Sequence, residues 1–321
     1  MGNQYLYDWL TIATKNMDEQ QAIDFLGMDY NDFEDIYGYY GYKHRLYYNG
    51  VGIHYDGRDD QGILIEMSGQ GCRAFETYGC GDYDKLFDFC RAGYGKVNRL
   101  DIAYDDHTGV IDLYRLAEEA HAGNYVSRWR QCSITWTQKQ GALQEGLTVD
   151  FGSAKSDIKL RMYNKAAERG CEADQHWIRL ELQLRDQRAM AFILDGGELA
   201  EKYTGVICNY LRFVEPVEGD SNKWRWPIAD FWADFLGDAV ALRLYTKPGV
   251  EYNIDRLARY ALHTAGNATE TLIDIMGIDA FVAALRSTKR LPNKHYERIK
   301  YSMMRLVPEF REVEDASPWD E

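Results

Sequence analysis

Between Tyr5 and Ala189 apolar residues recur at every second position in short runs closed by glycine, the period of half-buried strands. GVGIHYDG and GILIEMSG each predict one strand, and the RDDQ between them a hairpin loop. Tyr83 to Ala92 and Ile111 to Ala122 instead place apolar residues three and four apart and predict amphipathic helices. Strand pairs with crossing helices predict an α+β fold, an antiparallel sheet with helices on one face. From Trp224 onward the pattern turns helical, and the polar, turn-rich Glu215 to Lys223 marks the boundary. The expected organisation is a first domain over 1–214, a helical C-terminal region over 224–308 and a loose acidic tail over 309–321. A chain of 321 residues has room for two packed units or a duplicated core with an extension, although no repeat recurs at fixed spacing. Trp224, Trp226, Phe231, Trp232 and Phe235 are expected to pack the two parts together.

Three strands carry one oily and one charged face, because side chains alternate along a strand. In Val97 to Asp105, Leu100, Ile102 and Tyr104 oppose Arg99, Asp101 and Asp105. In Ile158 to Tyr163, Ile158, Leu160 and Met162 oppose Lys159, Arg161 and Tyr163. Trp177 to Arg185 sets Ile178, Leu180, Leu182 and Leu184 against Arg179, Glu181, Gln183 and Arg185. A solvated sheet surface shows the same alternation. Strands are nevertheless depleted in Asp, Glu and Lys. If these three are neighbours, they assemble carboxylates for a hard divalent ion, cations for phosphate oxygens and a phenol, the parts that phosphodiester transfer needs. Lys159 and Arg161 share a face with Tyr163 and are expected to stabilise its phenolate. Asp106 falls on the apolar side and predicts a turn or cap, and Glu66 precedes glycines 69 and 71 that predict a tight turn.

Charge narrows the partners. The net charge of −14 opposes nucleic acid if it is spread evenly. It is not: residues 1–110 carry 9 basic and 19 acidic side chains, whereas 286–305 carry 7 basic and one acidic. That basic segment, with Lys289, Arg290 and Lys294, is a candidate for contacts to duplex DNA. The six cysteines form no CxxC pair, so reduced, mostly buried thiols are expected rather than zinc or disulfides. No run approaches the roughly 18 apolar residues of a membrane span, and a cytoplasmic protein is expected.

An ordered series of segments resembles the replication initiation factor family of rolling-circle plasmids, phages and integrative elements. They are YDWLTI near the start, EMSGQGCR at 66–73, NRLDIAYDD at 98–106, FGSAKSDIKLRMYNKAAE at 151–168 and WIRLELQLRDQRA at 177–189. The resemblance implies a nickase that cuts one strand at an origin and stays linked to the 5′ phosphate through tyrosine, with Mg²⁺ or Mn²⁺ as cofactor. It puts the nucleophile on Tyr163, the metal ligands on Asp101 and Glu181 with Asp105 as a third candidate, and DNA contacts on Ser153, Lys155, Lys165 and Arg179. Ala154 and Lys155 stand where an Arg-Lys pair is common. The paired-histidine motif of many tyrosine endonucleases is absent, with only His54 and His107 near enough to stand in. Expected partners are origin DNA, a host helicase, because no ATPase motif is present, and a second copy of the chain. A relaxase of a mobile element would need the same site, and a noncatalytic DNA-binding regulator would keep the fold without the chemistry.

Overall fold

The computed structural model describes residues 2–137, 146–171, 175–195, 197–245 and 270–287. Alternation along the chain resolves into strands β1 (Gln4–Thr14), β2 (Glu34–Tyr37), β3 (His44–Tyr48), β4 (Val51–Tyr55), β5 (Ile63–Met67), β6 (Gly95–Asp106), β7 (Tyr125–Ser127), β8 (Cys132–Thr137), β9 (Gly146–Phe151), β10 (Ile158–Asn164), β11 (Ile178–Arg185) and β12 (Leu211–Phe213). Helices α1 (Glu19–Leu26), α2 (Gly69–Tyr78), α3 (Tyr83–Arg91), α4 (Leu113–Ala122), α5 (Lys165–Arg169), α6 (Asp186–Leu194), α7 (Leu199–Tyr210) and α8 (Asp230–Tyr245) follow, with further helix over 270–276 and Ile278–Ser287. The two helices and the β4–β5 hairpin expected from periodicity are present within two residues of their expected ends.

Ten strands form one antiparallel sheet in the order β2-β3-β4-β5-β1-β6-β11-β10-β9-β8, and β12 pairs with β7 apart from it. The order contains a duplication that no sequence repeat announced. In each half a first strand (β1 or β6) leads through a helix (α1 or α4) to the far edge. Three hairpin steps then return the chain to pair with that first strand, and two helices follow. The halves join along β1 and β6, so the middle of the sheet is the contact between two similar units.

One face of this sheet is the core. Leu10, Ile12, Leu100, Ile102, Tyr104, Leu160, Met162, Leu180 and Leu182 are completely buried under the helices. Helix ends are set by local chemistry: Asp112 accepts from the backbone N–H groups of Tyr114 and Arg115, and Gly123 closes α4 in the left-handed conformation. The glycines expected to form a tight turn after Glu66 are instead the first turn of α2, capped by Ser68. A Cβ on Gly71 would sit 2.1 Å from the Gly50 carbonyl oxygen, so only glycine lets the helix start against that backbone. The expected packing cluster divides: Trp232 and Phe235 are buried against Phe213 and Tyr104, whereas Trp224 is exposed. The first turns of α8 thus belong to the core of the main sheet. None of the six cysteines forms a disulfide; Cys72 and Cys90 are buried, but Cys80, Cys132 and Cys171 are only partly so and Cys208 is exposed, fewer buried thiols than expected. No helix among the described residues is long and apolar enough to cross a membrane.

Candidate active site

The three polar-faced strands are adjacent at the centre of the sheet, in the order β6-β11-β10. Their register puts Tyr163 opposite Arg179, Arg161 opposite Glu181, and Gln183 opposite Asp101. One face therefore gathers Asp101, Asp105, Tyr163, Arg179 and Glu181.

Tyr163 is nine-tenths buried, and its hydroxyl donates to Glu181 Oε2 at 3.4 Å while accepting from Lys165 Nζ at 3.3 Å. Burial first, then the charge of Glu181, pushes the phenol well above its ordinary range. Lys165, the first residue of α5, is itself buried and also pairs with Glu168. It supplies the cation expected from Lys159 and Arg161. Those two turn to Asp150 on β9, at 2.8 Å and 3.3 Å, so neither reaches the phenol oxygen; Arg161 only lies beside the Tyr163 ring.

Glu181 is the least neutralised of the carboxylates. Burial, then the charges of Asp101 and Asp8, push it up to about 7. Asp101 is also raised, by burial above all, although Arg99 forks onto both its oxygens at 2.5 to 3.1 Å. Both oxygens of Asp105 accept from Arg179, at 2.6 Å and 2.8 Å. Its charge is thus matched by Arg179, as that of Asp101 is by Arg99.

Asp8 completes the cluster and was not anticipated. Arg179 Nη1 reaches its Oδ2 at 2.7 Å, making an Asp8–Arg179–Asp105 triad in which Arg179 and Asp105 are buried and Asp8 half-buried. Strict alternation assigns Asp8 to the oily face of β1. A register shift between Tyr7 and Trp9 turns both Asp8 and Trp9 toward the polar face. Arg179 thus acts as an internal bridge rather than a free phosphate contact. Replacing it with methionine leaves the buried Asp105 and the half-buried Asp8 uncompensated and is expected to cost about 3–5 kcal/mol in urea denaturation at neutral pH.

Other expected residues lie apart. Ser153 and Lys155 occupy the turn before β10, about 17 Å along the strand from Tyr163. Ser153 there bonds Ser156, and Lys155 is exposed. Asp106 is a cap, as its parity implied. Burial pushes its carboxyl up, but the backbone N–H groups of Ile111 and Thr108 together with His176 hold it below the usual range. His107 packs on Trp177, and His54 is wholly buried 3.8 Å from Glu66. Lys289, Arg290, Lys294 and the acidic tail lie outside the described residues.

Among the described residues no three of His, Cys, Asp and Glu gather as a metal cage. A Mg²⁺-type ion held by one or two carboxylates and completed by substrate phosphate needs no such cage. Asp101 and Glu181 fit that mode, because their repulsion in a buried site is a surplus of negative charge that a divalent cation relieves.

Residues 95–285 match the family described as replication initiation factor, and residues 4–92 match the rolling circle replication initiation protein N-terminal domain. A protein of Bacillus subtilis (strain 168) assigned as the DNA relaxase NicK is 32% identical over 263 residues, 77% of this chain and 74% of that protein. The solved structure of a rolling circle replication initiator protein from Geobacillus stearothermophilus aligns with a TM-score of 0.69 at 33% identity, covering 74% of this chain and 97% of the other. With its central sheet and clustered polar strands matched over that length, the chain belongs to the replication initiation factor family, that of rolling-circle replication initiators and DNA relaxases.

Proposed function

We propose that this chain initiates rolling-circle replication by nicking one strand of origin DNA with Tyr163 as nucleophile. The observation that carries the reading is the phenol of Tyr163 held between Lys165 Nζ and Glu181 Oε2 on a charged sheet face. In the reaction Tyr163 Oη forms a bond to the scissile phosphorus and the bond from phosphorus to O3′ breaks. The phenol proton passes to Glu181, the carboxylate it contacts, and the departing O3′ takes a proton from solvent water to become a free hydroxyl. Lys165 holds the oxygen while its charge develops. The 5′ phosphate remains as an ester on Tyr163, which keeps the bond available for rejoining. Asp101 and Glu181 would hold Mg²⁺ or Mn²⁺, which when bound neutralises charge on the phosphate oxygens.

The domain over 1–214 carries this chemistry, and the C-terminal region over 224–308 brings duplex DNA to it through Lys289, Arg290 and Lys294. A host helicase and a second copy of the chain complete the proposed assembly. A relaxase that nicks a transfer origin would use the same residues. The test is incubation of supercoiled DNA carrying the chain's own gene and flanks with the protein and Mn²⁺ or Mg²⁺. Nicked circles and a detergent-stable protein–DNA adduct are expected. DNA binding without nicking under any metal would overturn the proposal in favour of a noncatalytic regulator.

A further inference from the structure

The duplication gives the nicking face a counterpart in the first half of the sheet. Glu66 on β5 stands opposite Gly52 on β4 and Thr11 on β1, as Glu181 on β11 stands opposite Arg161 on β10 and Ala103 on β6. The same two-residue steps put His54 where the second half has Tyr163, and Trp9 where it has Asp101. This counterpart has histidine, not tyrosine, at the place of Tyr163. His54 is wholly buried beneath the rings of Tyr39 and Tyr42, and Glu66 accepts from the Tyr39 hydroxyl at 2.5 Å. Beside them is a cavity of ≈ 390 Å³ whose lining includes Trp9, Tyr40, Asn98, Arg99 and Arg185.

We propose that this cavity takes one unstacked nucleotide of the DNA single strand next to the nick, its base between Tyr40 and the Arg99–Trp9 pair and its phosphate on Arg185. The inference rests on the nicking reading and names a subsite for its substrate. Four features support it. Arg99 lies 4.2 Å from the centre of the Trp9 ring, giving a flat cationic floor of the kind on which bases stack. Tyr40 lines the cavity and is 61% exposed, with a left-handed backbone (φ 58) that a tyrosine adopts only at a cost. Gln61 fixes that loop by donating to the Tyr40 carbonyl at 2.7 Å. Asn98 Oδ1 is a buried acceptor with no hydrogen-bond partner, suited to an amino group on a base edge.

Charge and distance agree. Arg185 donates to Gln183 Oε1 and pairs with no carboxylate among the described residues, which leaves its charge for a phosphate. From Glu181 to Arg185 is four residues along β11, about 13 Å. At the ~3.4 Å per nucleotide of a stacked strand that is within about four nucleotides of the scissile phosphate.

The test measures fluorescence anisotropy of a labelled mixed-sequence DNA single strand of about 12 nucleotides, using full-length protein in a Tyr163→Phe background so that no strand is cut. Loss of one stacked base predicts that Tyr40→Ala weakens binding about fivefold or more, whereas Tyr40→Phe stays near the parent. A strand carrying 5-iododeoxyuridine should photocrosslink to the peptide containing Tyr40 or Trp9. Arg185→Gln should flatten the salt dependence. Unchanged affinity in Tyr40→Ala, with crosslinks elsewhere, overturns the pocket while leaving the nicking reading intact. Failure of the parent to bind any single strand at low salt overturns both. Tyr40 is exposed, so its variants test the contact without disturbing the core.

Discussion

The Tyr163→Phe protein is expected to leave supercoiled DNA closed and to form no detergent-stable adduct, while binding the same DNA as tightly as the parent. The change removes one oxygen, the atom proposed to bond phosphorus, so the covalent route closes completely. Removing the nucleophile of a covalent enzyme lowers turnover by about a thousandfold or more. The variant should nonetheless fold. The hydroxyl makes two long contacts, at 3.3 and 3.4 Å, and their loss is worth only about 1 kcal/mol. Phenylalanine also keeps the ring against the Lys165 ammonium. A melting temperature within a few degrees of the parent, with nicking abolished, separates chemistry from folding. Nicking that persists, with the adduct mapped to another tyrosine, would move the nucleophile and keep the enzyme class.

The parts of this site that the sequence discloses are those that depend on strand periodicity alone. Alternation on β6, β10 and β11 is enough to place Asp101, Tyr163, Arg179 and Glu181 on one face, because a strand offers two directions only. What alternation cannot disclose is which charge meets which. Lys159 and Arg161 have the parity of Tyr163, yet Asp150 on the neighbouring strand claims them. Lys165 lies past the end of β10, in a helix, where strand parity does not apply, and its long side chain reaches back to the phenol. Asp8 is hidden for the opposite reason: it is inside a strand, but one extra residue at the register shift reverses its face. The duplication is legible only as topology. Its halves share strand order and the spacing around Glu66 and Glu181, while the residues at the position of the proposed nucleophile, His54 and Tyr163, differ.

Glu181→Gln is expected to raise the melting temperature above pH 7 and to reduce nicking by about 10²–10⁴-fold. The stabilisation follows from proton linkage. An unperturbed glutamate has a pKa of 4.5, and Glu181 is pushed up to about 7 in the folded chain. Between those values the folded state binds more protons than the unfolded state, so the stability associated with this carboxyl is fully present below 4.5 and is lost as pH rises through about 7. Glutamine stays neutral at every pH and escapes the loss, so parent and variant should melt alike near pH 4 and diverge toward pH 8. Mg²⁺ or Mn²⁺ should narrow that gap by stabilising the parent at pH 8, where Glu181 is ionised beside Asp101, and should do little for the variant. A variant no more stable than the parent at pH 8 would show that Glu181 is already neutralised by its neighbours. Equal metal-induced shifts in both proteins would place the cation away from Glu181. If both effects appear, the strain of holding Asp8, Asp101 and Glu181 together is what the site retains for catalysis, stability given up for a charge ready to accept a proton and a cation.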